Sequence, residues 1–300
     1  MEFKTSKHIN KILNFQKNKE VSDEIIEKNL LLIESFFENV RVCNSEPMSQ
    51  CKQIIKGTEA KLLFKNGQIY IKYRHCLHWF HDNPFQILID NFLFANYEVL
   101  SFTYDFQDYI NEHKKDENKV KITQIAQRID DLLNKDTIWK GLYIHGKFGI
   151  GKTHILKTIA NSFAKKNKKV VFITANEIIK KVKETFSIDD VNGNIKIEEK
   201  CKKTDILFID DIGAESVSEW SRDEILFDIL NYRMEHKKIT FFSSNKNIDY
   251  LEKTYLSQKI ILSKPDFKRE EVEYLKAARF CERIKAITNE IELEGKNKRY

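Results

Sequence analysis

The sequence predicts an α/β fold: a central parallel sheet with helices on both faces, preceded by a small α+β domain. Three observations predict it. From residue 122 onward, the short apolar runs "GLYIH", "KVVFIT", "DILFIDD" and "ITFFSSN" alternate with segments of helical period. Strands that are apolar at every position are buried on both sides, as in parallel sheets under helices. The first strand also runs into a glycine-rich loop, "GKFGIGKT" (146–153), that opens a helix. Residues 1–110 have another texture: one helical pattern, one alternating hairpin and a scatter of cysteines.

In chain order, "SDEIIEKNLLLIESFFENV" (22–40) reads as one helix, with Ser22 or Asp23 as cap and apolar residues recurring at three- and four-residue steps. "AKLLFKNGQIYIKYRHC" holds two alternating runs joined by Asn66-Gly67, a pair that tolerates the positive φ angles of a tight turn, so a β-hairpin is expected at about 60–75. Residues 84–110 are aromatic and apolar without clear period. "NEHKKDENKVK" is charged, which places a linker at 111–121 between an N-terminal domain (1–110) and a second domain (122–300). There, "ITQIAQRIDDLL", "THILKTIANSFAKK", "NEIIKKVKETF" and "SRDEILFDILNYRMEH" supply the helices between the strands.

An apolar content of 41% over 300 residues suffices for a core, and only three prolines and nine glycines argue against a low-complexity tract. No apolar run approaches the roughly 20 residues that span a bilayer, and the opening stretch is too polar to be expected as a secretory signal. Five cysteines (43, 51, 76, 201 and 281) make an odd count without framework spacing, so disulfides are not expected. A soluble cytoplasmic protein with no membrane partner is the expectation. The net charge of +6 permits contact with nucleic acid without requiring it.

The loop fits G-x-x-x-x-G-K-[ST] at every fixed position: Gly146, Lys147, Phe148, Gly149, Ile150, Gly151, Lys152 and Thr153. Its glycines let backbone N–H groups turn toward nucleotide phosphates at the positive end of the following helix. Lys152 carries charge to the terminal phosphates, and the Thr153 hydroxyl is placed to ligate Mg²⁺. An apolar strand ending in acids should accompany it; "ILFIDDIGAE" (206–215) is that strand, with Asp210 on the metal side and Asp211 the candidate base. "ITFFSSN" ends in Asn245, a polar tip that orients water toward the γ-phosphate. In "EEVEYLKAARFCERIKAIT", Arg279 and Arg283 lie four apart on one helical face. Pairing with Glu282 or Glu273 is the plain reading; completing a neighbour's site is the other. Lys165, Lys166, Lys168 and Lys169 are either a solvated helix end or a DNA contact.

Taken together, "GLYIHGKFGIGKT", "DILFIDDIGAESVSEWSRDEILFDILNYRM", "TFFSSN" and "EEVEYLKAARFCERI" closely resemble the AAA+ domain of the DnaI-type helicase loaders, with DnaC-type loaders as more distant relatives. The resemblance runs from about Trp139 to "LEGKNKR" near the C-terminus, and "DDIGAES" followed by W-x-RDE is far more specific than the loop. It implies an AAA+ ATPase that uses ATP and Mg²⁺, with hydrolysis slow and stimulated by DNA or a partner. It further implies self-association through the ATPase domain, binding to the hexameric replicative helicase, and help in placing that helicase on single-stranded DNA during primosome assembly. Arg279 and Arg283 match the family's AAR-x-x-ER stretch, with Arg283 favoured as the residue acting in trans. The N-terminal part matches more weakly, in the right order, to a helicase-binding domain that often holds zinc. Cys43, Cys51 and Cys76, with His78 (or His75 beside it), supply the four ligands such a site requires. The family's tight early C-x-x-C pair is missing, and unligated buried cysteines are the alternative.

Three other classes compete. An ATPase subunit of a transposition system shares the core, but the long N-terminal half and "DDIGAES" speak against it. An origin-binding initiator needs a helix-turn-helix module, and only a short basic tail is expected after Ile287. The third is an adaptor with a silent nucleotide site.

Overall fold

The computed structural model describes residues 21–65, 67–113, 117–135, 137–185, 197–215, 218–256 and 267–298. The chain forms two compact units that divide between Gln86 and Ile87.

The first unit begins with α1 (Asp23–Lys28) and α2 (Leu30–Asn39). One continuous helix was expected here. Asn29 breaks it: at φ −115° and ψ 15° it leaves the helical region, and its side-chain amide donates to Ile25 O (2.8 Å). Asparagine competes for backbone groups in this way, which makes it a poor residue for a helix interior. Ser22 stands at the N-cap with extended backbone and no side-chain capping bond. The hairpin forms as expected, β1 (Thr58–Lys65) pairing antiparallel with β2 (Gln68–His75), and Lys65 faces Gln68 across a two-residue turn. Asn66 lies outside the described residues; Gly67 has φ +79°, which glycine adopts without strain. Ile26, Ile33 and Phe36 of the helices pack on Leu62 and Ile69 of the hairpin. A short helix, α3 (Leu77–Asp82), follows β2 directly.

The second unit holds a six-stranded sheet in the order β3-β5-β6-β7-β4-β8, every neighbouring pair parallel. Its elements in sequence are α4 (Gln86–Asn91, which enters the unit at Ile87), β3 (Phe92–Ala95), α5 (Phe106–Glu112), α6 (Lys119–Asn134), β4 (Gly141–His145), α7 (Lys152–Lys165), β5 (Val170–Thr174), α8 (Ala175–Thr185), α9 (Ile197–Lys203) and β6 (Ile206–Asp210). A π-helical turn (Ser221–Leu226) then runs into α10 (Phe227–Glu235), followed by β7 (Ile239–Ser244), α11 (Ile248–Thr254), α12 (Phe267–Ile287) and β8 (Thr288–Glu292).

Alternate residues of the strands feed two cores. Tyr143, Val171, Ile173, Leu207, Ile209 and Phe242 face one side, where they meet α8 to α12 through residues such as Ile178, Ile229, Leu251 and Phe280. Leu142, Ile144, Val170, Phe172, Ile206, Phe208 and Phe241 face the other and meet α5, α6 and α7 through Tyr109, Ile125, Ile159 and Phe163. Two covered faces explain the continuous apolar runs.

The expected division at 111–121 falls inside this unit. β3 pairs with β5, so residues 92–95 are part of the sheet, and α6 begins at Lys119 within the expected linker. Among the described residues, no helix is long and apolar enough to cross a membrane.

Candidate nucleotide site

The phosphate loop leaves the C-terminal end of β4 and enters α7 at Lys152. Gly149 and Gly151 have φ of +78° and +99°, left-handed values that permit the tight reversal. Lys152, only 7% exposed, is held by three acceptors: its Nζ donates to Gly146 O (2.7 Å), Lys147 O (2.8 Å) and Asn245 Oδ1 (2.8 Å). Phe148, at the loop's tip, is 70% exposed.

The ends of β6 and β7 complete the site. Asp210, 6% exposed, accepts at Oδ1 from the hydroxyls of Thr153 (3.1 Å) and Ser243. Burial pushes its carboxyl above the usual carboxylate range, and the two hydroxyls pull in the opposite direction. Asp211 has left the strand, with φ +57°, and its amide donates to Ser243 Oγ (2.9 Å). Asn245 donates from Nδ2 to Asp211 Oδ1 (3.0 Å) while accepting from Lys152, and so ties loop, acid and strand tip together. Thr153, Lys152, Asp210, Asp211 and Asn245 therefore converge from three elements, at the C-terminal ends of parallel strands where such sheets place ligands.

Arg279 and Arg283 do not join them. Both stand on α12 with their guanidinium groups over the Phe227 ring, at 5.1 and 5.5 Å, and Arg283 Nε donates to Asn231 Oδ1 (3.1 Å). Among the described residues, none of the loop's hydrogen bonds comes from either arginine. Lys165 pairs with Asp105 (2.7 Å) and Lys169 Nζ donates to Asp90 O (2.7 Å), whereas Lys166 and Lys168 are exposed.

In the first unit, Cys43 Sγ, Cys51 Sγ, Cys76 Sγ and a ring nitrogen of His78 lie within 4.8 Å of one another. Cys51 follows a 3₁₀ turn, Cys76 caps α3, and His78 lies in α3's first turn. Cys51 Sγ to Cys76 Sγ and Cys76 Sγ to His78 Nδ1 are each 3.9 Å. Tetrahedral zinc with Zn–S bonds of about 2.3 Å sets sulfurs about 3.8 Å apart, so the donor set fits that ion. The amide of Gly57 donates to Cys51 Sγ (3.4 Å) and Gln53 Nε2 to Cys43 Sγ (2.9 Å), bonds of the kind that would orient ligand sulfurs if a metal were held. His75 is exposed and stacks on Trp79 (3.6 Å between ring centres), outside the cluster.

A family described as the bacterial DnaA ATPase domain matches residues 100–261. The replicative helicase loader DnaI of Bacillus subtilis strain 168 is 31% identical over 293 residues, which cover 95% of this chain and 88% of the relative. The chain belongs to the DnaI family of helicase loaders. A solved structure described as DnaI covers 71% of this chain and 99% of its own, with 27% identity and a TM-score of 0.53. A primosome-component structure from Streptococcus pyogenes serotype M3 covers 71% and 98%, with 25% identity and a TM-score of 0.50. The second unit is thus an AAA+ ATPase domain of the DnaI type.

The DnaI-like segment after β6 has a structural basis that the motif alone did not disclose. Gly213 N donates to Glu215 Oε2 (2.7 Å), and the buried Glu215 accepts from the Tyr255 hydroxyl. Arg222, fully buried in the π-helical turn, makes a fork to Asp223 (2.5 and 2.8 Å), reaches Glu273 of α12 (2.9 Å), and donates to Tyr255 O (2.7 Å). "GAES" and "RDE" therefore lock the segment after β6 to α11 and α12. Ser243 was also missed as a site residue. Its signal was weak, one of two adjacent serines that follow Phe241 and Phe242 and lead into Asn245.

Proposed function

We propose that this chain is an ATP-driven loader that places the hexameric replicative helicase on single-stranded DNA. The observation that carries the reading is the identity to a helicase loader across both units, since it runs through 95% of the chain. A shared ATPase core alone would also suit a transposition ATPase, but it would leave the N-terminal half unmatched.

ATP phosphates enter the loop, where backbone N–H groups and Lys152 receive them. Lys152 then exchanges bonds to Gly146 O, Lys147 O and Asn245 Oδ1 for bonds to phosphate, which frees Asn245 for a water. Thr153 and Asp210 would hold Mg²⁺, which neutralises phosphate charge when bound. Asp211 and Asn245, already hydrogen-bonded to each other, orient the attacking water, and Asp211 accepts its proton. Arg283, seated on Phe227, is presented to the site of a second copy, with Arg279 beside it. A site completed only by a neighbour hydrolyses slowly in isolation and faster when DNA or helicase brings copies together. Zinc held by Cys43, Cys51, Cys76 and His78 would brace the first unit, the one that engages helicase.

The test is co-elution of the protein with its cognate replicative helicase in ATP and Mg²⁺. Binding by the wild type and by Lys152→Ala, with helicase transfer to single-stranded DNA by the wild type only, is the expected result. No binding by either sinks the loader reading.

A further inference from the structure

The phosphate loop has two flanks. β7 and Asn245 form one, and the other is formed by β8 and the residues that follow it, because β4 lies between β7 and β8. Leu293 N donates to His145 O (2.8 Å), extending the β4–β8 ladder to the residue before the loop. Leu293 O approaches Gly146 so closely that a Cβ there would meet it at 2.2 Å. Asn118 and Glu294 exchange two bonds, Nδ2 to Glu294 O (2.7 Å) and Glu294 N to Oδ1 (3.0 Å). The chain then turns at Gly295, φ +131°, and comes back over the loop. Asn297 Oδ1 lies 1.9 Å from where a Gly149 Cβ would be, and Lys298 N donates to Gly149 O (2.9 Å).

This last bond acts on the nucleotide site through covalent geometry. In a planar trans peptide the carbonyl of one residue and the N–H of the next point in opposite directions. A donor that fixes Gly149 O on the outside of the loop thereby aims Ile150 N–H the other way, toward the phosphates. Gly149 needs such a restraint because glycine carries no side chain to bias its peptide plane. The segment lies outside the G-x-x-x-x-G-K-[ST] pattern; from sequence it is a short basic tail at the end of the family resemblance.

We propose that residues 293–298 are a working wall of the nucleotide site, with the Lys298 amide as a positioning group that sets the Gly149–Ile150 peptide for phosphate binding. The inference rests on the nucleotide reading above and adds a segment to it.

The test compares affinity for a fluorescent ATP analogue in the full chain and in Lys298→Pro, Lys298→Ala and a chain ending at Glu294. Proline removes the amide donor, whereas alanine keeps it. Lys298→Pro and the shortened chain should bind about threefold to tenfold more weakly, the effect of one lost hydrogen bond at a preorganised site. Lys298→Ala should bind within about twofold of wild type, and all variants should melt within about 2 °C of it without nucleotide, because an exposed terminal bond contributes little to global stability. Equal affinity of Lys298→Pro and wild type overturns the proposal, as does an equal loss in Lys298→Ala, which would assign the effect to the side chain. Failure of the wild type itself to bind the analogue would instead overturn the nucleotide reading.

Discussion

Tyr255→Phe removes one oxygen atom at the joint between the segment after β6 and the helices on that face. The Tyr255 hydroxyl donates to Glu215 Oε1, and both residues are buried, with 1% and 6% exposure. Glu215 keeps its second bond, from Gly213 N to Oε2 at 2.7 Å. The variant leaves a buried carboxylate oxygen without a donor, at a cost of about 1.5–3 kcal/mol for a bond to a charged group. At about 2–4 °C per kcal/mol for a unit of this size, the melting temperature should fall by about 3–12 °C. The pH dependence has a definite sign. Burial raises the Glu215 pKa above its ordinary value of 4.5, and the tyrosine hydroxyl opposes that rise. A raised carboxyl binds more protons folded than unfolded, so stability declines as pH rises from 4.5 through the folded pKa. Without the hydroxyl the folded pKa goes higher still, and the decline is longer. Wild type and variant should therefore converge below pH 4.5 and separate toward neutrality, as followed by circular dichroism melts across pH. Identical melts at neutral pH, or a gap that widens on acidification, would refute the reasoning.

Removing zinc with a chelator, or changing Cys76→Ser, should unfold the first unit and abolish helicase binding while leaving ATP binding intact. Metal analysis of the purified wild type should find about one zinc per chain, and a metal-free, stable protein would exclude the site. Arg283→Ala should lower helicase- and DNA-stimulated ATPase by on the order of 10³, with little change in nucleotide affinity. Mixing it with Lys152→Ala should restore part of the activity, because each supplies the half the other lacks; no restoration argues against action in trans. Asp211→Asn should cut turnover by about 10²–10⁴ and leave ATP affinity within about twofold, measured as single-turnover hydrolysis beside equilibrium binding.

What was legible in the sequence follows from how much each element depends on local pattern. The phosphate loop, the acids of β6 and Asn245 each end an apolar strand, and period and motif coincide there. β3 and β8 were missed for physical reasons. Both lie at the edges of the sheet with one neighbour each. β8 reads "TNEIE", with Thr288 buried, Ile291 half-buried and the rest exposed, a pattern a polar tail shares. β3 reads "FLFA", an apolar run of four that could belong to any buried segment. That ambiguity displaced the domain boundary by more than twenty residues. Arg222 and Glu273 form a long-range buried pair whose partners are 51 residues apart, and no periodicity announces such a contact. The cysteine cluster sits between these extremes. Its residues were identifiable by type, but only the path of the hairpin brings Cys76 and His78 against Cys51 and excludes His75.

The most direct test of the central claim is strand unwinding by the cognate helicase on a single-stranded circle carrying an annealed, forked oligonucleotide and coated with single-strand-binding protein. ATP-dependent unwinding is expected when the wild-type protein is added. Lys152→Ala should give none, although it still binds the helicase. Unwinding that proceeds equally without the protein, or equally with Lys152→Ala, would contradict the claim that this chain loads helicase at the expense of ATP.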